Sequence, residues 1–376
     1  MQGTPLTRRI VWSVVALIAV AAVSVADEAF AKSRWENHVD ASLIREIVYH
    51  DGELFMATVG GILVYTPDTG QFDQYHNTRG LPSNALNCLV FDDAGDVWIG
   101  TQDVGIARVT LGPDGLNVRT YSSLEMANIH ITTLDIWDGE IVYGTIEGAG
   151  KFENGFPLHT FYAESEEGLP SNMIHDVFID GDAVWVATAG GVTILRRDPI
   201  GNFVFTPVQG GPPLARVVEK SDDAIWLATN NGVWRMALSD SSWTQTGPSG
   251  VDIYSLHWDG QKMWAGGTTA FYDYDNTGQQ WQEYVIKQFY GSYGLPKEDS
   301  GRKGLVRAIT RTSSGDVYVA AAKEGLEYGI NLVRYDGQQM ENLQPNDPGE
   351  NRIVRLARDV DGSIWVVCNG LGVGKL

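Results

Sequence analysis

A hairpin that recurs along the chain limits what this sequence can fold into. In the clearest copy, Gly80 to Thr101, apolar and aromatic residues predominate in 86–91 and fill 97–99, and the cluster Asp92-Asp-Ala-Gly95 between them is typical of a tight turn. Each copy ends on an aromatic or aliphatic pair followed by small residues, often with a final Thr. The eight endings are Phe55-Met-Ala-Thr58, Trp98-Ile-Gly-Thr101, Val142-Tyr-Gly-Thr145, Trp185-Val-Ala-Thr188, Trp226-Leu-Ala-Thr229, Trp264-Ala-Gly-Gly267, Tyr318-Val-Ala-Ala321 and Trp365-Val-Val-Cys368.

The spacing of these copies, 38 to 54 residues, indicates the fold class. A repeat of about 40–50 residues made only of short strands matches one four-stranded propeller blade. A helical solenoid of similar period would show a 3.6-residue periodicity, which is absent. We therefore expect an all-β fold, with a single β-propeller over residues 32–376.

The two ends of the repeat region predict how the ring closes. Arg34 to Val39 reads as a lone strand that resembles the outer strand of other copies, whereas the last copy stops at Val373-Gly-Lys-Leu376 without one. The N-terminal strand could complete the final blade and remove both free edges. This predicts eight four-stranded blades closed by the N-terminal strand. Seven blades is the alternative, because the 54-residue gap before Tyr318 makes the copy boundaries irregular.

Residues 1–31 are typical of a secretory signal peptide. Thr7-Arg-Arg9 precedes an apolar run from Ile10 to Ala26, and Ser24-Val-Ala26 or Ala29-Phe-Ala31 could be the cleavage site. An uncleaved anchor is the alternative, since a 17-residue run is at the lower limit for spanning a bilayer. We predict an exported protein, periplasmic or extracellular, with no membrane span after cleavage.

Charge and cysteine content restrict the partners and the crosslinks. The net charge of −20 argues against nucleic acid or an anionic membrane as a partner. The only two cysteines, Cys88 and Cys368, lie in the second and eighth copies, where an intervening blade would hold them too far apart to bond. We expect two buried free thiols and no disulfide between them.

Recurrent Asp, Gly and Trp residues have a structural interpretation. Asp51-Gly52, Asp138-Gly139 and Asp259-Gly260 are typical of two-residue hairpin turns, which makes calcium loops unnecessary as an explanation. The tryptophans at the common repeat position are expected to pack between blades. They are Trp98, Trp185, Trp226, Trp264 and Trp365.

The repeat resembles a known family. Gly80-Leu-Pro-Ser-Asn84 with its hairpin is similar to the two-component regulator propeller repeat, and Gly168-Leu-Pro-Ser-Asn172 and Gly294-Leu-Pro296 repeat all or half of it. The resemblance implies an extracytoplasmic sensor-type propeller that recognises ligands, often breakdown products of polysaccharides. Family sensors continue into a membrane span and a kinase. This sequence shows neither, so we expect no kinase activity from it.

Aligning the copies predicts a ligand-binding column. One mostly polar position stands near the start of each innermost strand, between apolar neighbours, and would face the channel together with turns such as Gln102-Asp-Val and Ile146-Glu-Gly. Several arginines converging on one axis would suit a carboxylate or sulfate. The alternative is that these side chains only fill the mouth with solvated polar groups. The aligned positions are Arg45, Asn87, Thr132, His175, Arg216, Tyr254, Arg307 and Val354, and Arg355 beside Val354 is taken as the eighth candidate ligand-binding residue.

Three functions remain open. The first is a ligand-binding, sensor-type module for an anionic or carbohydrate-derived small molecule. The second is a protein-interaction scaffold at the envelope. The third is a propeller enzyme such as a polysaccharide lyase or lactonase. We find no Ser-His-acid set, carboxylate pair or metal-ligand cluster in the sequence, so we expect no catalytic residues, no metal and no cofactor.

Overall fold

The structure is a computed structural model that describes residues 41–375 apart from several short gaps. The gaps are 42, 113–114, 122–125, 154, 162–167, 269, 276–278, 287–303, 324–330, 344–352, 359–363 and 369–371. The proposed signal peptide and the strand Arg34 to Val39 lie outside the described residues. Within the described part, no helix is long and apolar enough to cross a membrane.

Seven four-stranded antiparallel sheets follow one another along the chain, and each is built from four consecutive strands. We call them blades one to seven. Blade one has β1 (Ile44–His50), β2 (Glu53–Thr58), β3 (Gly61–Thr66) and β4 (Gln71–Tyr75). Blade two has β5 (Leu86–Phe91), β6 (Val97–Thr101), β7 (Ile106–Gly112) and β8 (Gly115–Tyr121). Blade three has β9 (Ile131–Trp137), β10 (Glu140–Thr145), β11 (Gly148–Glu153) and β12 (Phe156–Phe161).

The remaining blades repeat this pattern. Blade four has β13 (Ile174–Asp180), β14 (Ala183–Thr188), β15 (Gly191–Arg197) and β16 (Phe203–Pro207). Blade five has β17 (Val217–Lys220), β18 (Ala224–Thr229), β19 (Gly232–Ala237) and β20 (Trp243–Gly247). Blade six has β21 (Ile253–Trp258), β22 (Met263–Gly267), β23 (Ala270–Asp275) and β24 (Gln280–Val285). Blade seven has β25 (Gly304–Arg311), β26 (Val317–Lys323), β27 (Asn331–Tyr335) and β28 (Met340–Leu343).

The first strands of the blades form the inner wall of a closed ring. Each first strand packs against the first strand of the next blade, and β25 of blade seven packs against β1 of blade one. At this closing interface, Leu54 and Met56 share one buried cluster with Tyr318 and Ala320. The hydroxyls of Tyr49 and Ser313 are 2.9 Å apart across it. The ring is therefore a seven-bladed β-propeller around a central channel.

The prediction of eight blades is wrong, and the alternative of seven is confirmed. The eighth copy of the repeat forms a three-stranded sheet of β29 (Ile353–Arg358), β30 (Ile364–Cys368) and β31 (Gly372–Lys375). Because blade seven packs directly on blade one, this sheet has no place in the ring. Counting copies could not show this, since closure depends on packing between distant blades and not on the hairpin itself.

The Thr that ends five of the hairpins caps the following turn. Its hydroxyl is buried and donates to the carbonyl oxygen at the start of the third strand, at 2.7–2.9 Å in each case. The hydroxyl oxygen of the Thr also accepts a backbone N–H from within the turn; for example, Thr188 Oγ1 accepts the N–H of Gly190 at 3.0 Å. The repeated Thr thus satisfies backbone groups that the turn would leave unpaired. These residues are Thr58, Thr101, Thr145, Thr188 and Thr229.

The Asp-Gly turns agree with prediction in two cases of three. Asp51-Gly52 and Asp138-Gly139 have positive φ at both residues, as a two-residue hairpin turn of this type requires. Asp259-Gly260 lies in a four-residue connection instead. There the Asp259 carboxylate accepts the backbone N–H of Gln261 and Lys262, so the side chain builds the turn.

Tryptophans and cysteine pack as expected where their side chains are described. Four of the repeat-position tryptophans are at most 8% exposed and lie in buried clusters; the side chain of Trp365 lies outside the description. Cys88 carries a free, buried thiol, and burial raises its pKa well above the usual value. The Cys368 side chain also lies outside the description.

Candidate functional site

The predicted polar column lies on a repeated β-bulge. In β1, β5, β9, β13, β21 and β25 the pairing with the second strand skips one residue near the strand start. A bulge places two residues opposite one and re-aims the extra side chain. The skipped residues are Arg45, Asn87, Thr132, His175, Tyr254 and Arg307, all of them in the predicted column.

Arg216 takes the same place in blade five, just before β17. Its backbone N–H donates to the Ala228 carbonyl at 2.8 Å, while the next residue, Val217, is also paired with Ala228. Two residues again oppose one. All seven blades therefore present one column residue at the end of the channel where the inner strands begin, which we call the mouth.

Arg355 does not belong to this column. It is paired in register with Val367 in the three-stranded sheet, and the skipped residue there is Val354. Because that sheet is not a blade of the ring, the column has seven members and not eight. The mouth arginines are thus Arg45, Arg216 and Arg307.

A hydrogen-bonded network joins the column residues of blades one and two and reaches the start of β9 in blade three. The Arg45 guanidinium donates to the Asn87 side-chain oxygen at 2.5 Å, and the Asn87 amide donates to the Ile131 carbonyl at 2.5 Å. With the Gln102 amide oriented by its partners, its oxygen accepts from both terminal nitrogens of Arg45, at 2.5 and 2.6 Å. Arg45 is therefore held in one position and fixes a positive charge at the mouth. Alignment of the column did not reveal Gln102 as its partner, although the turn was placed on the correct face.

A second cluster joins blades five to seven. Arg216 donates to the Asp252 carboxylate at 3.0 Å, and its guanidinium lies 4.7 Å from the centre of the Tyr254 ring. Arg307 is exposed, yet the surrounding protein lowers its guanidinium pKa, an effect that the nearby Tyr254 opposes. Among the described residues, Arg307 has no hydrogen-bond or ion-pair partner, and it keeps its charge because guanidinium is not deprotonated in proteins.

The two remaining column residues offer polar atoms between these clusters. His175 Nδ1 lies 2.8 Å from the Ala215 carbonyl. A carbonyl oxygen can only accept, so Nδ1 carries the proton and Nε2 is left as an acceptor. Thr132 Oγ1 is buried without a hydrogen-bond partner in the described part of the chain.

Below the mouth, carboxyl groups connect neighbouring inner strands. Glu46, Asp135 and Asp176 accept the backbone N–H of Leu89, Ile179 and Val218 at 2.7, 3.0 and 2.9 Å. Glu219 accepts the N–H of Trp258 in the same way. Each bond joins one blade to the next. We call these four residues the inner acidic layer.

Burial dominates the electrostatics of the inner acidic layer. It raises the pKa of Glu46 and Glu219 to about 7 and that of Asp135 to about 6, and it raises the pKa of Asp176 well above its usual value. The N–H bonds act against burial, whereas repulsion between members of the layer acts with it. Repulsion from Asp135 adds to the effect of burial on the pKa values of Glu46, Asp176 and Glu219.

A polar cleft of about 370 Å³ between blades five and six has a structural explanation. Its walls include Asp223 and Arg235, which form an ion pair. Arg235 is paired across strands with Trp226 and lies over its ring. Arg108 has the same arrangement with Trp98 and Asp92 in blade two. The ion pair is thus a repeated packing device, and we do not take the cleft as the candidate site.

Comparison with known proteins identifies the repeat. Residues 80–103 match the family described as two component regulator propeller, which confirms the resemblance based on Gly80-Leu-Pro-Ser-Asn84. No curated protein sequence matches the chain.

Solved structures share the fold. The extracellular domain of a putative hybrid two component system from B. thetaiotaomicron aligns with a TM-score of 0.59 and 20% identity, over 88% of this chain and 43% of that one. An extracellular domain of a putative one component system from the same organism gives 0.57 and 17%, over 91% and 52%. Virginiamycin B lyase from Staphylococcus aureus gives 0.55 and 16%, over 76% and 93%. This chain spans about half of the first two proteins, and identities this low show a common fold alone.

Proposed function

We propose that this protein is an exported, non-catalytic recognition module of the sensor type, which binds a small anion at the mouth and has no kinase activity of its own. One observation carries the proposal. Arg307 is exposed and has no hydrogen-bond or ion-pair partner among the described residues, and it lies near Tyr254 in the same ring as Arg45 and Arg216. A guanidinium with free donors among other polar groups is suited to a carboxylate or sulfate.

The overall charge makes this local arrangement more informative. The chain has 47 acidic residues against 27 Lys and Arg, yet three arginines come from three different blades to one end of the channel. Asp252 balances Arg216 but leaves Arg307 uncompensated. Arg307 would therefore offer an uncompensated positive charge at the mouth of an otherwise acidic molecule, and its local field would attract an anion.

Export and a sensing role rest on the apolar N-terminal segment and on the relatives. The matched repeat family is named for two component regulators, and the similar structures include extracellular domains of a putative hybrid two component system and of a putative one component system. A ligand bound at the mouth contacts several blades at once. Its presence can therefore be passed to a partner protein through the ring.

The test is thermal unfolding of the mature protein with a panel of uronic acids, sulfated oligosaccharides and neutral sugars. A ligand that binds only the folded state adds about 2.7 kcal/mol at 100 times its dissociation constant. We expect a shift with anions and none with neutral sugars. Because a hydrogen bond to a charged group contributes about 1.5–3 kcal/mol, Arg307→Ala should weaken the binding about 10- to 100-fold.

The matched control removes the same charge elsewhere. Arg196 is exposed near the far end of β15, away from the mouth, so Arg196→Ala should leave anion affinity unchanged. Arg216→Ala should weaken binding as well, since it leaves the Asp252 carboxylate uncompensated at the mouth. Equal anion affinity in wild type and Arg307→Ala would contradict the proposal.

A further inference from the structure

Three large apolar side chains are exposed at the mouth side of blades three and four. Ile129 is 44% exposed, Ile146 37% and Met173 46%. Ile129 and Met173 lie just before β9 and β13, and Ile146 lies in the turn between β10 and β11. Inner strands begin and second strands end at the mouth, so all three belong to this face.

Exposure of Met173 is not a requirement of the repeat. The Met173 carbonyl accepts the N–H of Ala189 in blade four, and the Leu43 carbonyl accepts the N–H of Val59 in the same way in blade one. The two side chains thus occupy equivalent positions, but Leu43 is only 7% exposed. The exposure of Met173 is therefore a property of this blade and not of the repeat, and exposed apolar side chains grouped on one face are candidates for an interaction site.

Ile129 lies near the fixed charge of Arg45. Asn87 joins Arg45 to the Ile131 carbonyl, two residues after Ile129. Burial lowers the pKa of His130, and the charge of Arg45 lowers it further, which places the guanidinium near the residue that follows Ile129. Asn128 donates to Glu147 at 2.8 Å, so the loop with Ile129 and the turn with Ile146 are adjacent.

We propose that the mouth binds an organic anion with an apolar body, such as a medium-chain carboxylate, with the acid group at the mouth arginines and the apolar group on Ile129, Ile146 and Met173. This inference rests on the proposed function and specifies its ligand class. Charge complementarity selects the anionic end, and the open apolar residues select the rest. A sugar acid would satisfy only the first condition, because its hydroxyl groups would cover these apolar side chains poorly.

Calorimetric titration with acetate, butanoate, hexanoate, octanoate and glucuronate tests the inference. Each methylene buried contributes about 0.8 kcal/mol, so the dissociation constant should fall by up to about fourfold per methylene. Octanoate should bind more tightly than glucuronate. The neutral probe 1-octanol should bind more weakly than octanoate, since it lacks the charge that the arginines recognise.

Variants of the apolar residues test their contribution separately from that of the mouth arginines. Ile129→Ser with Met173→Ser should flatten the dependence on chain length while acetate binding persists. Ile200→Ser is the control, because Ile200 is 84% exposed in the connection between β15 and β16, at the far end of β15 from the mouth. All three residues are exposed, so the substitutions do not threaten the fold.

Each outcome has a defined meaning. Glucuronate binding as tightly as octanoate, with no effect of chain length, would overturn this inference and leave the anion-binding function intact. An unchanged chain-length dependence in the double variant would also overturn it, as would octanol binding as tightly as octanoate. Failure of every anion to bind would reject the proposed function together with the inference.

Discussion

At the scale of single residues, the small residue before the capping Thr reports how closely the next blade approaches. A Cβ added to Gly144 would lie 2.5 Å from Ile174 Cγ2 of blade four, and one added to Gly100 would lie 2.4 Å from Cys88 Sγ and 2.6 Å from Ile131 of blade three. Other blades carry Ala at this position, as in Ala187 and Ala228, both fully buried. The repeat thus requires a small residue at this position, and the interfaces at Gly100 and Gly144 leave no room even for a Cβ atom.

We expect Gly144→Ala to destabilise the protein by about 1–3 kcal/mol. The added methyl group overlaps atoms of a packed interface that can move only with the neighbouring strand. Chemical denaturation measures the change in the free energy of unfolding. Gly211→Ala is the control, since its Cβ would make ordinary contact with Trp243 at 3.5 Å. Equal free energies of unfolding for the two variants would contradict this prediction and would show that the interface accommodates the added methyl group.

At the scale of elements, the bulge gives each inner strand two tasks. Residues beside the bulge, such as Ile131 and Ile174, are fully buried and hold the strand in the ring. The extra residue is freed from the ladder and faces the channel, where it can bond to another blade. Asn87 uses this freedom to join Arg45 of blade one to β9 of blade three.

We expect Asn87→Ala to lower the free energy of unfolding by about 1–3 kcal/mol, because it leaves an Arg45 donor and the Ile131 carbonyl without this partner. Asn117→Ala is the control, since Asn117 is exposed on the outer strand β8. Urea denaturation distinguishes the two. A change no larger than that of the control would mean that water replaces the Asn87 amide at the mouth.

The column could be predicted because the bulge lies at a constant distance from the repeat motif. Any alignment of copies therefore places Arg45, His175 and Arg307 together. The partners Gln102 and Asp252 do not follow from the column, since one lies in a turn and the other in a loop, and only folding brings them to it. Alignment placed Val354 in the eighth position, and the structure shows the bulge there, but Arg355 beside it is paired in the ladder. The alignment also treats every copy alike, whereas the ring admits only those copies that fit around its axis.

At the scale of the whole molecule, the inner acidic layer makes stability depend on pH. Unfolded glutamates titrate near pH 4.5, whereas burial raises the pKa of Glu46 and Glu219 to about 7. The folded state therefore binds protons more tightly than the unfolded chain between these values. By linkage, their contribution to stability falls as pH rises from about 4.5 through 7 and changes little above that.

We expect the double variant Glu46→Gln and Glu219→Gln to show a smaller decline, with the remainder coming from Asp135 and Asp176. The difference from wild type between pH 5 and 8 should be on the order of 2–4 kcal/mol, from urea denaturation at each pH. Burial lowers the pKa of His257 to about 4, so this residue makes stability rise with pH. Its contribution is the same in wild type and variant and cancels when the two are compared at each pH. Asp68→Asn with Asp103→Asn, both exposed, is the control. A pH profile in the double variant identical to that of wild type would refute the role of the layer.

The seam between blade seven and blade one is held by side chains such as Met56 and Tyr318, as the other interfaces are held by theirs, and no strand is shared across it in the described chain. Blade number is then a matter of the angle at which one sheet packs on the next. The number of sequence copies is set by gene duplication, so it can differ from the number of blades. An eighth copy of the repeat therefore adds length to the chain without adding a blade to the ring.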